Sequence, residues 1–355
     1  MKCKIPHITK HLKEAEINLP YTKAEKMLWQ EHKTGRQVKA SNIRTITKNT
    51  KFTQDSIIRA TFLRHVIDQQ DCKRIDICRA CIYGELDLTY TNLETHISIC
   101  HSYFEETPQF KYSKNRGITL DHSVIPGLDA EGIQCEGSIH IKEVKSSGHV
   151  NFSSAIIEGN LRCTGALFAP IVPAKRPDDY QQRAFTANGL RCRGIVKLYK
   201  ITALGAVSFL GARIRGDLNF EGATLNYKCE KSYMREAALS MNQATIEGRL
   251  HFNKMECRPI GHMGFRGCSV GELRMDKNSW PANSDNGVVD LHGFTYQRIG
   301  SPTDFKFLKS WLDLMPKYWE FSEPQDKGDV QDTDKDAPPL SSHHSRKPAI
   351  LSSTL

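Results

Sequence analysis

Cys78-Arg-Ala-Cys81 is the pair in this chain whose spacing most resembles working chemistry. Two thiols three positions apart can bind zinc or exchange with a disulfide. A structural zinc needs four ligands, and no second pair with metal spacing follows, although Cys72, Cys100 and His101 are nearby in sequence. Register also favours a structural role. Ala80-Cys81-Ile82-Tyr-Gly84-Glu-Leu86 aligns with Ala212-Arg213-Ile214-Arg-Gly216-Asp-Leu218, so Cys81 takes an outward position held by Arg213 elsewhere. Cys135, Cys163 and Cys192 fall on inward positions, where a thiol serves as a small hydrophobe. Sugar cleavage needs paired carboxylates on one outer face. In a 22-residue coil His140 would neighbour Arg162, and Lys197 would neighbour Asn219, a mixed face without such a pair. Gly261-His-Met-Gly264-Phe-Arg-Gly267 has the wrong spacing for a dinucleotide fingerprint and no helix after it. Asn151-Phe-Ser153 matches a glycosylation acceptor but lies inside a repeat strand, and His343-His344 is a pair in a polar tail. The sequence therefore assigns no catalytic, cofactor-binding or metal residue, and no cofactor is expected.

The elements that must carry these side chains are written in a repeat. Gly137-Ser-Ile139-His-Ile141, Gly148-His-Val150-Asn-Phe152 and Gly159-Asn-Leu161-Arg-Cys163 share one phrase at a spacing of 11. It returns from Gly194, Gly205 and Gly216, again 11 apart, and once more from Gly248; an earlier copy starts at Gly84. Self-similarity at a fixed period marks a solenoid. Within each element apolar residues alternate twice around a short break, as in Gly216-Asp-Leu218-Asn-Phe220-Glu-Gly-Ala223-Thr-Leu225. Alternation is the pattern of a strand with one buried face. Two elements, about 22 residues, then close one turn of a four-sided coil. The predicted fold over 71–300 is an all-β solenoid, a parallel β-helix, right-handed by the usual crossover preference. Glycine at each corner is expected to supply backbone angles that a Cβ would obstruct.

A β-helix leaves a hydrophobic column open at both ends and needs caps. Residues 1–70 are read as a basic helical N-terminal segment. Thr22 and Glu25 form a capping-box pattern before a helix through Ala24, Met27, Leu28 and Trp29, which Gly35 stops. A second helix is expected from Asp55 or Ser56, with Ile57, Ile58, Phe62, Leu63, Val66 and Ile67 on its apolar face. Residues 301–321, with Phe305, Phe307, Leu308 and Trp311, are the expected C-terminal cap, and 322–355 a disordered tail. The segments 170–183 and 226–236 are polar excursions from the coil.

The run Val207-Ser-Phe209-Leu-Gly211-Ala-Arg213-Ile-Arg215-Gly-Asp217-Leu-Asn219-Phe-Glu221-Gly-Ala223-Thr-Leu225 resembles pentapeptide-repeat-like β-helices. With Arg59-Ala-Thr-Phe62-Leu-Arg64 before the coils and Leu291-His-Gly293-Phe-Thr-Tyr296-Gln-Arg298-Ile299 after them, it resembles a bacterial family often labelled membrane-associated oxidoreductases. The resemblance covers about residues 20–325. It implies the β-helix, and the family's label implies redox activity at a membrane. The family's longer members continue into helical, membrane-associated sequence, whereas this chain departs into a polar tail after Phe321-Ser-Glu-Pro-Gln325, which implies a shorter C-terminus.

The chain has 355 residues and a formal charge of +9, concentrated at one end. Residues 1–54 carry +8, residues 322–355 carry −2, and the long middle only +3. A nearly neutral coil does not meet the electrostatic requirement for mimicking DNA. The basic segment implies weak attraction to anionic surfaces. No stretch is apolar enough to span a bilayer, and no apolar run follows the N-terminal lysines as a secretory leader requires. Eleven cysteines then read as reduced thiols in a cytoplasm. The expectation is a non-catalytic scaffold or protein-interaction module, with a protein partner and self-association by end-to-end stacking. The alternatives are an oxidoreductase with a cofactor site built by 170–183 and 226–236, or a peripheral binder of anionic surfaces.

Overall fold

A computed structural model describes residues 20–69, 71–171, 183–227, 237–256, 259–281, 288–300 and 305–312. The chain divides into a compact unit over 1–316 and a second unit over 317–355, which lies outside the described residues together with His343-His344. The first unit is an all-parallel β-solenoid of about ten turns of about 22 residues. Each coil has four sides. Side 1 carries strands such as Leu128–Asp129 and Val150–Asn151, and side 2 carries Gln134–Cys135 and Ile156–Ile157. Side 3 carries Ile139–His140 and Leu161–Arg162, and side 4 carries Lys145–Ser146 and Leu167–Phe168. Every strand pairs with its counterpart one coil away, as Ile139 does with Leu161 and Leu161 with Val196. Sides 2 and 3 join into a 16-stranded sheet because the strand Thr245–His251 pairs with both; sides 4 and 1 form sheets of eight and seven strands.

Alternation in the sequence becomes alternation in space. On side 3, Ile75, Ile97, Ile118, Ile139, Leu161, Val196, Leu218, Leu250 and Leu273 stack inward in one fully buried file. Phe152, Phe185, Phe209, Phe220, Phe252 and Phe265 continue through the core with ring centroids 5.3–6.1 Å apart. Each such side chain contributes roughly 1.5–3 kcal/mol by leaving water, so identical rungs reinforce one another along the coil.

Gly84, at φ 82°, supplies the expected backbone angle, but the later repeat glycines work differently. Gly137, Gly159, Gly194, Gly216 and Gly248 stack at the corner between sides 2 and 3, and none has a positive φ. A Cβ on Gly159 would meet the Gly137 carbonyl oxygen at 2.5 Å, and one on Gly194 the Gly159 oxygen at 2.4 Å. Glycine is needed there because successive backbones approach closely. Most left-handed corners lie elsewhere, between sides 1 and 2 and between sides 3 and 4. Some are glycines, such as Gly165 and Gly211, but others are Tyr112, His122, Glu143, Ser154 and Lys200, with φ between 51° and 60°.

The N-terminal cap also departs from the simple pattern. Helix α1, Lys23–Glu31, forms with the expected capping box and Gly35 in the left-handed region. The second helix starts later than expected. Ile57–Arg59 is a strand paired with Cys81–Tyr83, and helix α2 spans Ala60–Ile67. Two β-branched residues with a parallel partner beside them extend the sheet instead of beginning a helix. Val38–Lys39 likewise pairs with Ile77–Cys78, so the sheets reach upstream of residue 71. Helix α3, Phe305–Leu312, sets Phe307 and Leu308 against the core.

Candidate functional site

Side chains on the outer face of side 3 form one file across nine coils, in which Ser98 and His251 are buried among their neighbours and the rest are partly exposed. In order it reads Asp76, Ser98, Thr119, His140, Arg162, Lys197, Asn219, His251 and Arg274, each the register partner of the next. The strands fix these positions because their alternate residues are the buried file described above. The expected neighbours His140–Arg162 and Lys197–Asn219 are both adjacent. The sequence reading did not join the two pairs, because residues 172–182 break the 22-residue count. The structure makes Arg162 and Lys197 adjacent. The legible signal was phase: Gly159-Asn-Leu161-Arg162 and Gly194-Ile-Val196-Lys197 are the same phrase on either side of the insertion.

The file is acidic and hydroxylic at its start and donor-rich from His140 onward. His96 Nε2 lies 3.1 Å from Thr119 Oγ1, and Ser98 donates to Asp76 at 3.4 Å. Burial holds His96, His140 and His251 below the ordinary imidazole pKa, so all three are neutral at neutral pH. Asp217 is committed to Arg249 at 2.9 Å and faces His251 at 3.6 Å. Arg162 has a buried Nε–H with no acceptor, and among the described residues no ion pair reaches Arg162 or Lys197. The Lys197 ammonium lies 5.3 Å from the Tyr199 ring centre. A line of neutral imidazoles, a guanidinium, an ammonium and an amide offers hydrogen-bond donors at a regular step. That is chemistry suited to recognising an acceptor-rich surface.

The other sequence candidates are placed as follows. Cys78 ends a strand on side 3, Arg79 turns the corner at φ 61°, and Cys81 opens the next strand on side 4. The expectation of an exposed Cys81 is corrected: it is 2% exposed. Its register partners are Ile57 and Tyr103, whereas those of Arg213 are Arg191 and Thr245 on another side. The upstream loop lies against this side, with Ser41 donating to the Arg79 carbonyl and Phe52 packing 6.2 Å from the Tyr103 ring. Cys135, Cys163 and Cys192 are buried on inward positions, as read from the sequence. Burial raises their thiol pKa values, to about 11 for Cys135 and Cys192.

Asn151 holds Asp129 and the Ser153 backbone within the wall. Gly261 precedes the strand Met263–Gly264, Gly264 ends it, and Gly267 lies before the strand Ser269–Arg274, with no helix to receive a pyrophosphate. Among the described residues no group of three or more His, Cys, Asp or Glu is placed to hold a metal ion. No helix there is long and apolar enough to cross a membrane. The excursions at 170–183 and 226–236 lie almost wholly outside the described residues. No family model, curated protein or solved structure matches the chain.

Proposed function

We propose that this chain is a non-catalytic scaffold, a rigid coil that presents an outer file of polar side chains to a protein partner. The single observation carrying this reading is the nine-coil file from Asp76 to Arg274, in which each polar group is held one strand spacing from the next. Recognition gains from such preorganisation, because little side-chain freedom is lost on binding. The free thiols suit a reducing compartment such as the cytoplasm. The glycine-marked period and the run Val207–Leu225 support placement among pentapeptide-repeat-like β-helices, in the family labelled membrane-associated oxidoreductases.

The test is site-directed photo-crosslinking of the full chain in its native cell. A crosslinker at Asn219, on the file, is expected to give a discrete protein adduct, while one at Ser240, on side 1, gives none. Loss of the Asn219 adduct on substituting Arg162 and Lys197 by Gln would support the reading. Equal adduct patterns from both sides, or none from either, would overturn it.

A further inference from the structure

Four arginines stand in a two-by-two array beside the file, across the glycine corner. Arg191 and Arg213 are register partners on side 2 of consecutive coils, and Arg193 and Arg215 follow two residues on in each chain segment. All four are exposed. Parallel neighbours lie about 4.8 Å apart, and alternate residues of one strand about 6.6 Å apart. Like charges directly opposite each other disfavour the fold unless a counter-charge is present. The chain supplies little of it. Arg193 meets Glu158 at 2.7 Å, but among the described residues no ion pair reaches Arg191, Arg213 or Arg215. Of the nearby acids, Asp217 binds Arg249 and Glu221 binds Lys254, while the exposed Glu247 stands one rung from Arg215 and balances only one of the four. Around the corner, Arg162 and Lys197 add two more cations that no ion pair reaches among the described residues. In a coil region whose sequence is close to neutral, folding has gathered positive charge at one corner.

The described strands that flank residues 172–182 and 228–236 are on sides 4 and 1, whereas the four arginines are on side 2. The glycine phrase runs from side 2 to side 3 without an insertion in every coil from Gly137 to Gly248.

We infer that the Arg191, Arg193, Arg213 and Arg215 array binds an extended acidic peptide segment whose carboxylates fall on alternate residues. The match is one of period. An extended peptide presents residues i and i+2 on one face at the same step that separates Arg191 from Arg193. Each carboxylate can take a guanidinium in bidentate fashion, which Arg favours over Lys. Single-stranded nucleic acid would call for exposed aromatic platforms. The exposed aromatics among the described residues are Tyr21, Trp29, Tyr90, Tyr112 and Tyr296, none on these two coils. The inference rests on the interaction-module reading and names a partner chemistry for it.

The test is fluorescence anisotropy of the purified full chain with a labelled peptide of strictly alternating Asp and Ser. The comparison is a block isomer with the same residues, all Asp together. The alternating peptide is expected to bind saturably and more tightly than the block isomer. Arg191→Gln with Arg213→Gln should weaken it roughly tenfold, the loss of two exposed ion pairs, while Arg266→Gln, at the Asp290 pair on side 1, leaves it unchanged. Equal affinity for both isomers would overturn the inference, as would tighter binding of single-stranded oligothymidine. So would an undiminished double variant. None of these results touches the Asn219 crosslinking outcome, so the inference can fail while the scaffold reading stands.

Discussion

The carboxylate of Glu25 holds Arg59 by three bonds inside the N-terminal cap. It accepts the Arg59 backbone N–H at 2.9 Å, Nε at 2.8 Å and a terminal guanidinium nitrogen at 2.8 Å. The same carboxylate closes the capping box by accepting the Thr22 N–H at 3.0 Å. Glu25 is fully buried and Arg59 nearly so. One side chain thus ties helix α1 to the junction where strand Ile57–Arg59 becomes helix α2.

Breaking this pair strands a buried charge. Glu25→Gln is expected to destabilise the chain by about 3–5 kcal/mol, because it breaks a buried ion pair. Glu25→Gln combined with Arg59→Met should recover much of the loss. Urea unfolding followed by circular dichroism reads both; a single variant as stable as the parent would contradict the arrangement.

Two glycines should respond to alanine for different reasons. At Gly159 the new Cβ meets a backbone oxygen of the preceding coil at 2.5 Å, so two rungs must separate, at a cost of about 3 kcal/mol or more. At Gly211 nothing lies within 4 Å and only the left-handed φ of 64° resists, a cost of about 1–2 kcal/mol. Unfolding midpoints should rank Gly159→Ala below Gly211→Ala. The converse change, Ser154→Gly at a left-handed corner, should be neutral or stabilising.

Stability should fall as pH drops below about 6.5, the unfolded histidine value. The His101 and His122 rings stack at 4.5 Å, and burial, then the neighbouring His122, keeps the His101 pKa below its ordinary value. His96, His140 and His251 are lowered by burial in the same direction. The unfolded chain therefore takes up protons before the folded one, and the loss grows from pH 6.5 down to the folded pKa values. Denaturant midpoints between pH 7.5 and 5 measure the slope, and His101→Gln should flatten it. The acids with lowered pKa, such as Asp217, held down by Arg249 against the opposing effect of burial, add a second loss at lower pH as they protonate.

Alkylation of the native chain should discriminate among the thiols. Burial raises Cys268 to about 12 and Cys135 and Cys192 to about 11, and it raises the fully buried Cys163 as well. Such thiols are almost wholly protonated at pH 8 and out of reach. Among the cysteines of the described residues, Cys72 and Cys100 are half-buried and should react first. Peptide mapping after brief iodoacetamide treatment checks the order; early labelling of Cys163 would contradict the packing.

The eleven-residue phrase determined the coil by itself. Period-two alternation puts the recurring inward Leu, Ile, Val and Phe of each element on one face, and repetition forces successive elements into register. The capping box at Thr22 and Glu25 was legible for a similar reason, since its partners are three residues apart. Contacts between residues far apart in sequence, or separated by an insertion, were decided only by the tertiary structure. Ile57 and Ile58 look helical until Cys81 and Ile82 lie beside them. Cys81 looks exposed until the loop bearing Ser41 and Phe52 covers its side. Arg162 meets Lys197, and Arg191 meets Arg213, because the backbone returns to the same rung after residues 172–182 and again one coil later. A local pattern records which way a side chain faces, but only the closed turn of the coil brings it beside its neighbour.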